Sequence, residues 1–169
     1  MNYHNIVHED MRNGDGLRVT LFVSGCNHHC LECQNPQTWG FDSGIPFDEE
    51  ALNEIGEELT KSYIDGITFS GGDPLAPENA KKVLEVINWI KDNFPAKTIW
   101  VYTGYSYEEI KESKNYNQTT ILFYTDVLVD GEYKKDLRDT NLKWRGSSNQ
   151  RVIDVQRSLR ENNVVLWCD

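Results

Sequence analysis

Three cysteines on one short loop constrain this chain more than any other feature of its sequence. Cys26, Cys30 and Cys33 have the spacing C-x3-C-x2-C, and they follow an apolar run at residues 19–23 with Ser-Gly at 24–25 between them. β-Branched and aromatic residues dominate that run and a glycine closes it, which predicts a buried strand. The thiols therefore lie on a loop beyond the carboxyl end of a strand, where α/β proteins build their sites.

The thiol loop can hold a metal centre in more than one way. Three thiolates can ligate three irons of a 4Fe-4S cluster and leave the fourth iron open for a substrate. The alternatives are a structural zinc site, completed by a histidine or by Cys168, and unliganded thiols. Zinc sites usually combine two short-spaced ligand pairs, and the sequence has no second pair. We expect His28 and His29 to pack in the loop or face solvent, because a further ligand would close the open iron.

Length, charge and hydropathy limit the classes of function. A chain of 169 residues predicts one domain over residues 1–169 with a sizeable core. We expect a cytoplasmic protein with reduced thiols, since the sequence has no bilayer-spanning stretch and no apolar signal region. A net charge of -10 argues against a long nucleic-acid contact, so any nucleotide-like ligand should be small.

A second candidate site follows the next predicted strand, at residues 67–70. The strand ends in Gly71, Gly72 and Asp73, followed by Pro74. Two glycines let the backbone approach a ligand closely, and proline keeps the preceding residue extended. Carbonyls there could accept hydrogen bonds from an amine, with the Asp73 carboxylate nearby. Taken alone this is a common turn sequence, but after a cysteine loop it predicts an amine subsite.

The rest of the chain alternates strands and helices. The predicted elements are a helix capped by Asp48, a helix opened by Pro77, a strand at 98–102, a short helix with a Ser106/Glu109 capping box, a loop at 115–120, a strand at 127–129 and final elements at 152–153 and 164–167. This alternation predicts a mostly parallel sheet with right-handed crossovers. Because a full eight-fold barrel usually needs roughly 250 residues, we expect an incomplete, open (β/α) barrel.

Three further side chains have no role that the sequence decides. Arg18 follows a glycine-rich turn and could meet a carboxylate of a ligand or partner. Trp39 is more typical of a core lid than of a stacking platform. Cys168 is expected to be an ordinary thiol, with a redox or partner-linked role as the alternative.

Several motifs together carry a resemblance to a known family. They are Asn13-Gly14-x-Gly16-x-Arg18, Leu21-Phe22-Val23-Ser24-Gly25-Cys26, Gly71-Gly72-Asp73-Pro74, Tyr102-Thr103-Gly104-Tyr105, Leu128-Val129-Asp130-Gly131 and Trp144-Arg145-Gly146-Ser147-Ser148-Asn149-Gln150-Arg151. The cysteine loop with the glycine turn resembles the radical S-adenosylmethionine superfamily. The whole set, and the last run above all, is similar to the activating proteins of anaerobic, class III ribonucleotide reductases.

The resemblance implies a cofactor set, a reaction and partners. Cys26, Cys30 and Cys33 would ligate a 4Fe-4S cluster, and the open iron would take the amine and carboxylate of S-adenosylmethionine. One electron from reduced flavodoxin or a similar donor would cleave the cofactor to methionine and a 5′-deoxyadenosyl radical. The radical would take a hydrogen atom from a glycine of the anaerobic ribonucleoside-triphosphate reductase. The resemblance therefore implies a radical enzyme, and composition and charge predict no contact with membrane or nucleic acid.

The resemblance also implies contacts for S-adenosylmethionine. Gly71, Gly72 and Asp73 would receive the amine, and the backbone from Glu32 to Gln34 would lie beside the adenosyl part. Two positions depart from the superfamily pattern. Glu32 stands where many members have an aromatic residue, and Asp73 stands where glutamate is commoner.

Other functions stay open at this point. An activase of another glycyl-radical enzyme, of the pyruvate formate-lyase type, would be a longer chain without the run at residues 145–151. A non-catalytic iron-sulfur or zinc module would not need the glycine turn. A radical enzyme that acts on a small molecule, such as a deazaguanine synthase, is a third possibility.

Overall fold

A computed structural model describes residues 1–168 of the chain as one eight-stranded sheet with five α-helices. The strands are β1 (Asn2–Asp10), β2 (Arg18–Val23), β3 (Ile45–Pro46), β4 (Gly66–Gly71), β5 (Thr98–Tyr102), β6 (Val127–Asp130), β7 (Arg151–Asp154) and β8 (Leu166–Cys168). The helices are α1 (Glu49–Leu59), α2 (Pro77–Asn93), α3 (Tyr107–Lys111), α4 (Tyr116–Tyr124) and α5 (Val155–Glu161). Within the described residues, none of these helices has the length and apolar character needed to span a bilayer.

The strand order is β3-β1-β2-β4-β5-β6-β7-β8, with β3 and β8 at the two edges. The central strands β2, β4, β5 and β6 are parallel to one another, whereas β1 and β3 on one side and β7 and β8 on the other pair antiparallel. Four of the seven pairings are therefore antiparallel, and the prediction of mostly parallel strands was wrong. The mixed α/β class was correct.

The connections between strands explain why the central strands are parallel and why β1 is antiparallel to β2. Parallel neighbours need a crossover of a dozen or more residues, usually a helix. Helices α1, α2 and the α3–α4 pair supply these crossovers between β2, β4, β5 and β6. The turn at residues 11–17 is too short for a crossover, so β1 runs antiparallel to β2. Residues 131–150 contain no α-helix, and β7 returns antiparallel to β6.

The core lies between the central strands and the helices. Strands β4 and β6 are buried along nearly their whole length, as expected for strands covered on both faces. Asp48 caps α1 by accepting a hydrogen bond from the Ala51 amide at 3.0 Å, and Pro77 opens α2. Ser106 and Glu109 form the capping box of α3. All three helix starts were predicted correctly.

Two local predictions need comment. The loop predicted at residues 115–120 is wrong, because α4 begins at Tyr116 with Asn115 as its cap. The first turn of α4 is polar, whereas Ile121 and Leu122 further along the helix are buried. Strand β1 was not predicted, since only Tyr3 and Ile6 of its apolar side chains enter the core.

The sheet brings the two candidate loops together. Strands β2 and β4 pair in register, with Val23 opposite Gly71. The loop that carries the cysteines and the turn that begins at Gly72 therefore lie side by side at the carboxyl ends of these two strands.

Candidate iron-sulfur site

A cavity of about 350 Å³ lies at the carboxyl ends of the four central strands. Its walls come from the cysteine loop, the turn after β4, the end of β5 and the segment between β6 and β7. The residues that define these walls include Cys26, Cys30, Cys33, Gln34, Gly71, Gly72, Asp73, Tyr102, Thr103, Gly104, Tyr133 and Arg145. The cavity thus joins the two sequence-predicted loops with two segments that lie far along the chain.

The three loop cysteines are free thiols, half-buried, and line this cavity together. Backbone amides point at the sulfurs: the Asn35 amide donates to Cys33 Sγ at 3.4 Å, and the Tyr133 amide faces Cys30. Burial raises the pKa of the Cys26 and Cys30 thiols, and a bound cationic centre would oppose that shift. The donor set, three thiols with amide donors around one cavity, fits a 4Fe-4S cluster.

The single-ion alternative finds less support in the same geometry. Among residues 1–168, no three His, Cys, Asp or Glu side chains converge closely enough to hold one metal ion. Cys168 lies on β8 beside Val152 and is not among the cavity walls.

Close backbone contacts hold the cysteine loop against the turn after β4. The Gly72 amide donates to the Val23 carbonyl, and the Asp73 amide donates to the Gly25 carbonyl, both at 2.7 Å. A Cβ on Gly72 would lie 2.4 Å from the Gly25 oxygen, which only glycine avoids. The glycines of the turn therefore serve the packing of one loop on the other.

The Asp73 carboxylate is buried, with 1% of the residue exposed, and it has several donors of its own. It accepts hydrogen bonds from Thr103 Oγ1 at 2.8 and 2.9 Å, from the Gly104 amide at 3.0 Å and from the Leu75 amide at 2.8 Å. His28 Nε2 lies 3.0 Å from Asp73 Oδ2. Asp73 thus binds the cysteine loop to the end of β5.

His28 stands between two carboxylates from different loops. Its Nδ1 lies 2.8 Å from Glu132 Oε1, opposite the contact with Asp73. The ring packs edge-on against Tyr105, and a Cβ on Gly104 would lie 2.4 Å from it. The contact with Asp73, and to a smaller extent the contact with Glu132, raises the pKa of His28 to about 9. The His28 imidazole therefore connects three loops of the site.

Of the residues predicted to lie beside the adenosyl part, one lines the cavity and one does not. Gln34 lines the cavity, whereas Glu32 is not among its walls and pairs with Lys135 at the surface. The Glu32 backbone has a φ of 56°, in the left-handed region that few non-glycine residues adopt. His29 is exposed and stacks on Trp39, with ring centroids 4.6 Å apart.

A family model described as "4Fe-4S single cluster domain" matches residues 12–153. Among curated proteins, the anaerobic ribonucleoside-triphosphate reductase-activating protein of Enterobacteria phage T4 is 45% identical over 152 residues, which cover 90% of this chain and 93% of the phage protein. The protein of the same name from Escherichia coli strain K12 is 45% identical over 154 residues, with 90% and 97% covered. The chain belongs to this family.

Membership of the reductase-activating family confirms the resemblance read from the motifs. A third relative, from Haemophilus influenzae, is 42% identical over 154 residues and covers 90% of this chain and 97% of its own. The family model supports the iron-sulfur cluster at the thiol loop. The assignments of individual residues to the cluster and to S-adenosylmethionine stay predictions.

Two cationic side chains of the site were not predicted from the sequence. Arg12 and Arg145 both line the cavity, and neither forms an ion pair among residues 1–168. Arg145 Nη1 donates to the Gln150 carbonyl at 2.7 Å, while its buried Nε has no partner. The sequence did contain a signal for Arg145, because it begins the Arg-Gly-Ser-Ser-Asn-Gln run that carried the family resemblance. The resemblance assigned no role to this arginine.

Gln150 explains how that run forms a rigid frame. Its Oε1 accepts hydrogen bonds from the Gly146 and Ser147 amides, and its Nε2 donates to the Gly131 carbonyl at 3.0 Å. One side chain therefore holds both ends of the segment between β6 and β7. This frame fixes Arg145 at the cavity wall.

Proposed function

We propose that this chain is a radical S-adenosylmethionine enzyme that activates an anaerobic ribonucleoside-triphosphate reductase. The observation that carries the proposal is the shared cavity of three free thiols and the glycine turn at the carboxyl ends of β2 and β4. We further propose a single domain over residues 1–169 whose sheet is an incomplete, open barrel. The relatives that bear the reductase-activating name support the identity of the partner.

The cysteine loop has the task of holding the cluster. Cys26, Cys30 and Cys33 would ligate it as thiolates and leave one iron for S-adenosylmethionine. When bound and reduced, the pair would supply the 5′-deoxyadenosyl radical that removes a hydrogen atom from a glycine of the reductase. The amide donors around the sulfurs would stabilise the negative charge that the thiolates bring.

The turn after β4 would hold the amine of S-adenosylmethionine. We propose that the backbone carbonyls of Gly71 and Gly72 contact the amine directly. The Asp73 carboxylate already accepts hydrogen bonds from three donors of its own chain, so its part is to orient the turn and to supply negative charge nearby. Gln34 and the Glu32 backbone would lie beside the adenosyl part.

Arg145 and Arg12 suit the anionic end of the same ligand. Both arginines line the cavity, and the buried Nε of Arg145 has no hydrogen-bond partner among residues 1–168. A carboxylate would use the free donors of Arg145 in charge-assisted hydrogen bonds. We therefore assign the carboxylate of the methionine moiety to this wall of the cavity.

The proposal is tested by anaerobic reconstitution with iron and sulfide, reduction, and an assay for 5′-deoxyadenosine. Wild type and Cys168→Ala should both cleave S-adenosylmethionine, while Cys30→Ala should not. The Cys168 variant is the matched control, because it removes a thiol outside the cavity. Addition of class III reductase to the active proteins should then give a glycyl-radical EPR doublet.

Two results would overturn this proposal. Cleavage without any radical on the class III reductase, together with activation of pyruvate formate-lyase, would assign the chain to a different partner. Binding of iron or zinc without cleavage, in the presence of a competent reductant and the reductase, would instead identify a non-catalytic module.

A further inference from the structure

The segment between Tyr133 and Arg145 differs in charge from the rest of the protein. It carries five Lys or Arg and two Asp side chains, whereas the remainder carries twelve basic and twenty-five acidic ones. We call residues 133–145 the basic segment. Every residue from 134 to 141 is exposed, so most of this positive charge faces solvent.

The basic segment lies directly against the cysteine loop. The Tyr133 amide faces the Cys30 sulfur, and Lys135 pairs with Glu32 one position before Cys33. The Ser148 amide donates to the Leu137 carbonyl at 2.9 Å, and the Lys134 amide donates to Ser147 Oγ at 3.1 Å. The segment is therefore held in place beside the cluster-binding loop.

Three exposed cations of the basic segment have no anionic partner among residues 1–168. Lys134, Arg138 and Lys143 are exposed and form no ion pair within residues 1–168. Their charges leave an excess of positive charge on the exposed surface of the basic segment.

Two exposed leucines accompany these charges. Leu31, on the cysteine loop, is 74% exposed, and Leu137, on the basic segment, is 42% exposed. The Glu32–Lys135 pair brings together the two chain segments that carry them. A small apolar contact with a charged surround is typical of weak, short-lived complexes between electron-transfer proteins.

We propose that the basic segment and Leu31 form the docking face for an acidic electron-donor protein. This inference rests on the proposed function, since the cluster must receive an electron from outside. In the transfer, the reduced flavin or iron-sulfur centre of the donor loses one electron, and the cluster takes it and passes from the 2+ to the 1+ state. A donor docked here would lie beside the cysteine loop that holds the cluster.

The test uses a matched pair of charge-reversal variants of the full chain. Lys134→Glu/Arg138→Glu/Lys143→Glu changes the docking face. Lys81→Glu/Lys114→Glu/Arg160→Glu makes the same change of net charge at exposed positions elsewhere. Cluster reduction by a reduced flavodoxin with an acidic surface is followed by anaerobic stopped-flow absorbance at several salt concentrations.

The docking-face variant should be reduced at least about tenfold more slowly than wild type at low salt, and its rate should depend little on salt. The control variant should stay within about threefold of wild type. Equal rates for both variants would overturn the proposal, because overall charge would then be the only effect.

A dithionite arm separates this inference from the proposed function. With dithionite as reductant, the docking-face variant should form 5′-deoxyadenosine and the glycyl radical as wild type does. Suppose that the variant forms no glycyl radical with dithionite, while reduced flavodoxin still reduces its cluster at the wild-type rate. That result would overturn the proposal and assign the basic segment to the reductase instead. The reduction rates need no cofactor cleavage, so they test the docking face even if the radical function fails.

Discussion

The two ends of the central parallel strands each hold an arginine, but the two arginines differ in their hydrogen bonds. At the amino-terminal end, Arg18 is 1% exposed and donates five hydrogen bonds, to Thr68 and Thr98 hydroxyls and to three backbone carbonyls. At the carboxyl end, Arg145 Nε is buried and has no partner within residues 1–168. All the N–H donors of Arg18 bond to groups within the fold, whereas Arg145 keeps a donor that a ligand could use.

This contrast separates a structural end of the sheet from a binding end. Arg18 also lies over the Trp100 ring, 5.4 Å from its centroid, and burial lowers the pKa of its guanidinium to about 10. Its surroundings therefore stabilise the charge only through contacts within the fold. The possibility that Arg18 meets an external carboxylate is not supported, since no donor remains for one.

The largest effect on stability is expected for Arg18→Met. The substitution leaves the Thr98 and Ile67 carbonyls without their buried donor, and each unsatisfied buried group costs about 1–3 kcal/mol. We expect the free energy of unfolding to fall by about 3–5 kcal/mol, measured by urea denaturation of the metal-free protein. Arg157→Met, on an exposed face of α5, should change it by less than about 0.5 kcal/mol. Equal losses in the two variants would remove the contrast between the ends.

Arg145→Met should weaken ligand binding rather than lower the stability of the fold. A charge-assisted hydrogen bond contributes about 1.5–3 kcal/mol, so S-adenosylmethionine should bind about 10- to 100-fold more weakly to the reconstituted protein. Calorimetric titration measures this affinity without any turnover. Arg160→Met serves as the control, and an unchanged affinity in Arg145→Met would contradict a ligand role for this wall.

His28→Gln should have an intermediate effect. Glutamine cannot bridge Asp73 and Glu132 with a charge, so the metal-free protein should lose about 1–2 kcal/mol of stability and open the cysteine loop more often. The rate at which a thiol reagent modifies Cys30 should rise in step. His8→Gln removes a more exposed pairing with Glu54 and should leave this rate unchanged. A Cys30 rate equal to that of wild type would show that His28 does not hold the loop.

The smallest effect is expected for Glu32→Gln. Glu32 and Lys135 are both about half exposed, and such surface pairs contribute less than about 1 kcal/mol. Thermal unfolding should therefore shift little, and cluster content should match wild type. A large loss of cluster would mean that this surface pair, rather than His28 and Asp73, fixes the cysteine loop.

The sequence allowed the main features of the site to be predicted because they follow from strand ends. The cysteine loop and the glycine turn each come directly after a buried strand, and parallel neighbours place such ends on the same edge of a sheet. Helix starts at Asp48, Pro77 and Ser106 were equally predictable, since capping chemistry is local.

The rest could not be predicted because it depends on long-range pairing. His28 owes its role to Asp73 and to Glu132, which is 104 residues away in the chain. No local pattern marks that contact. The antiparallel flanks were missed for a related reason: β1 is largely polar, and its pairing with β2 follows from the short turn between them.

The most direct test of the central claim is the EPR spectrum of the reduced, reconstituted cluster before and after addition of S-adenosylmethionine. If the carboxyl end of the sheet holds an open cluster, the spectrum should shift with one equivalent of the cofactor in wild type and in Cys168→Ala. A fully assembled cluster whose spectrum does not change with S-adenosylmethionine would contradict the account and indicate a closed electron-transfer centre.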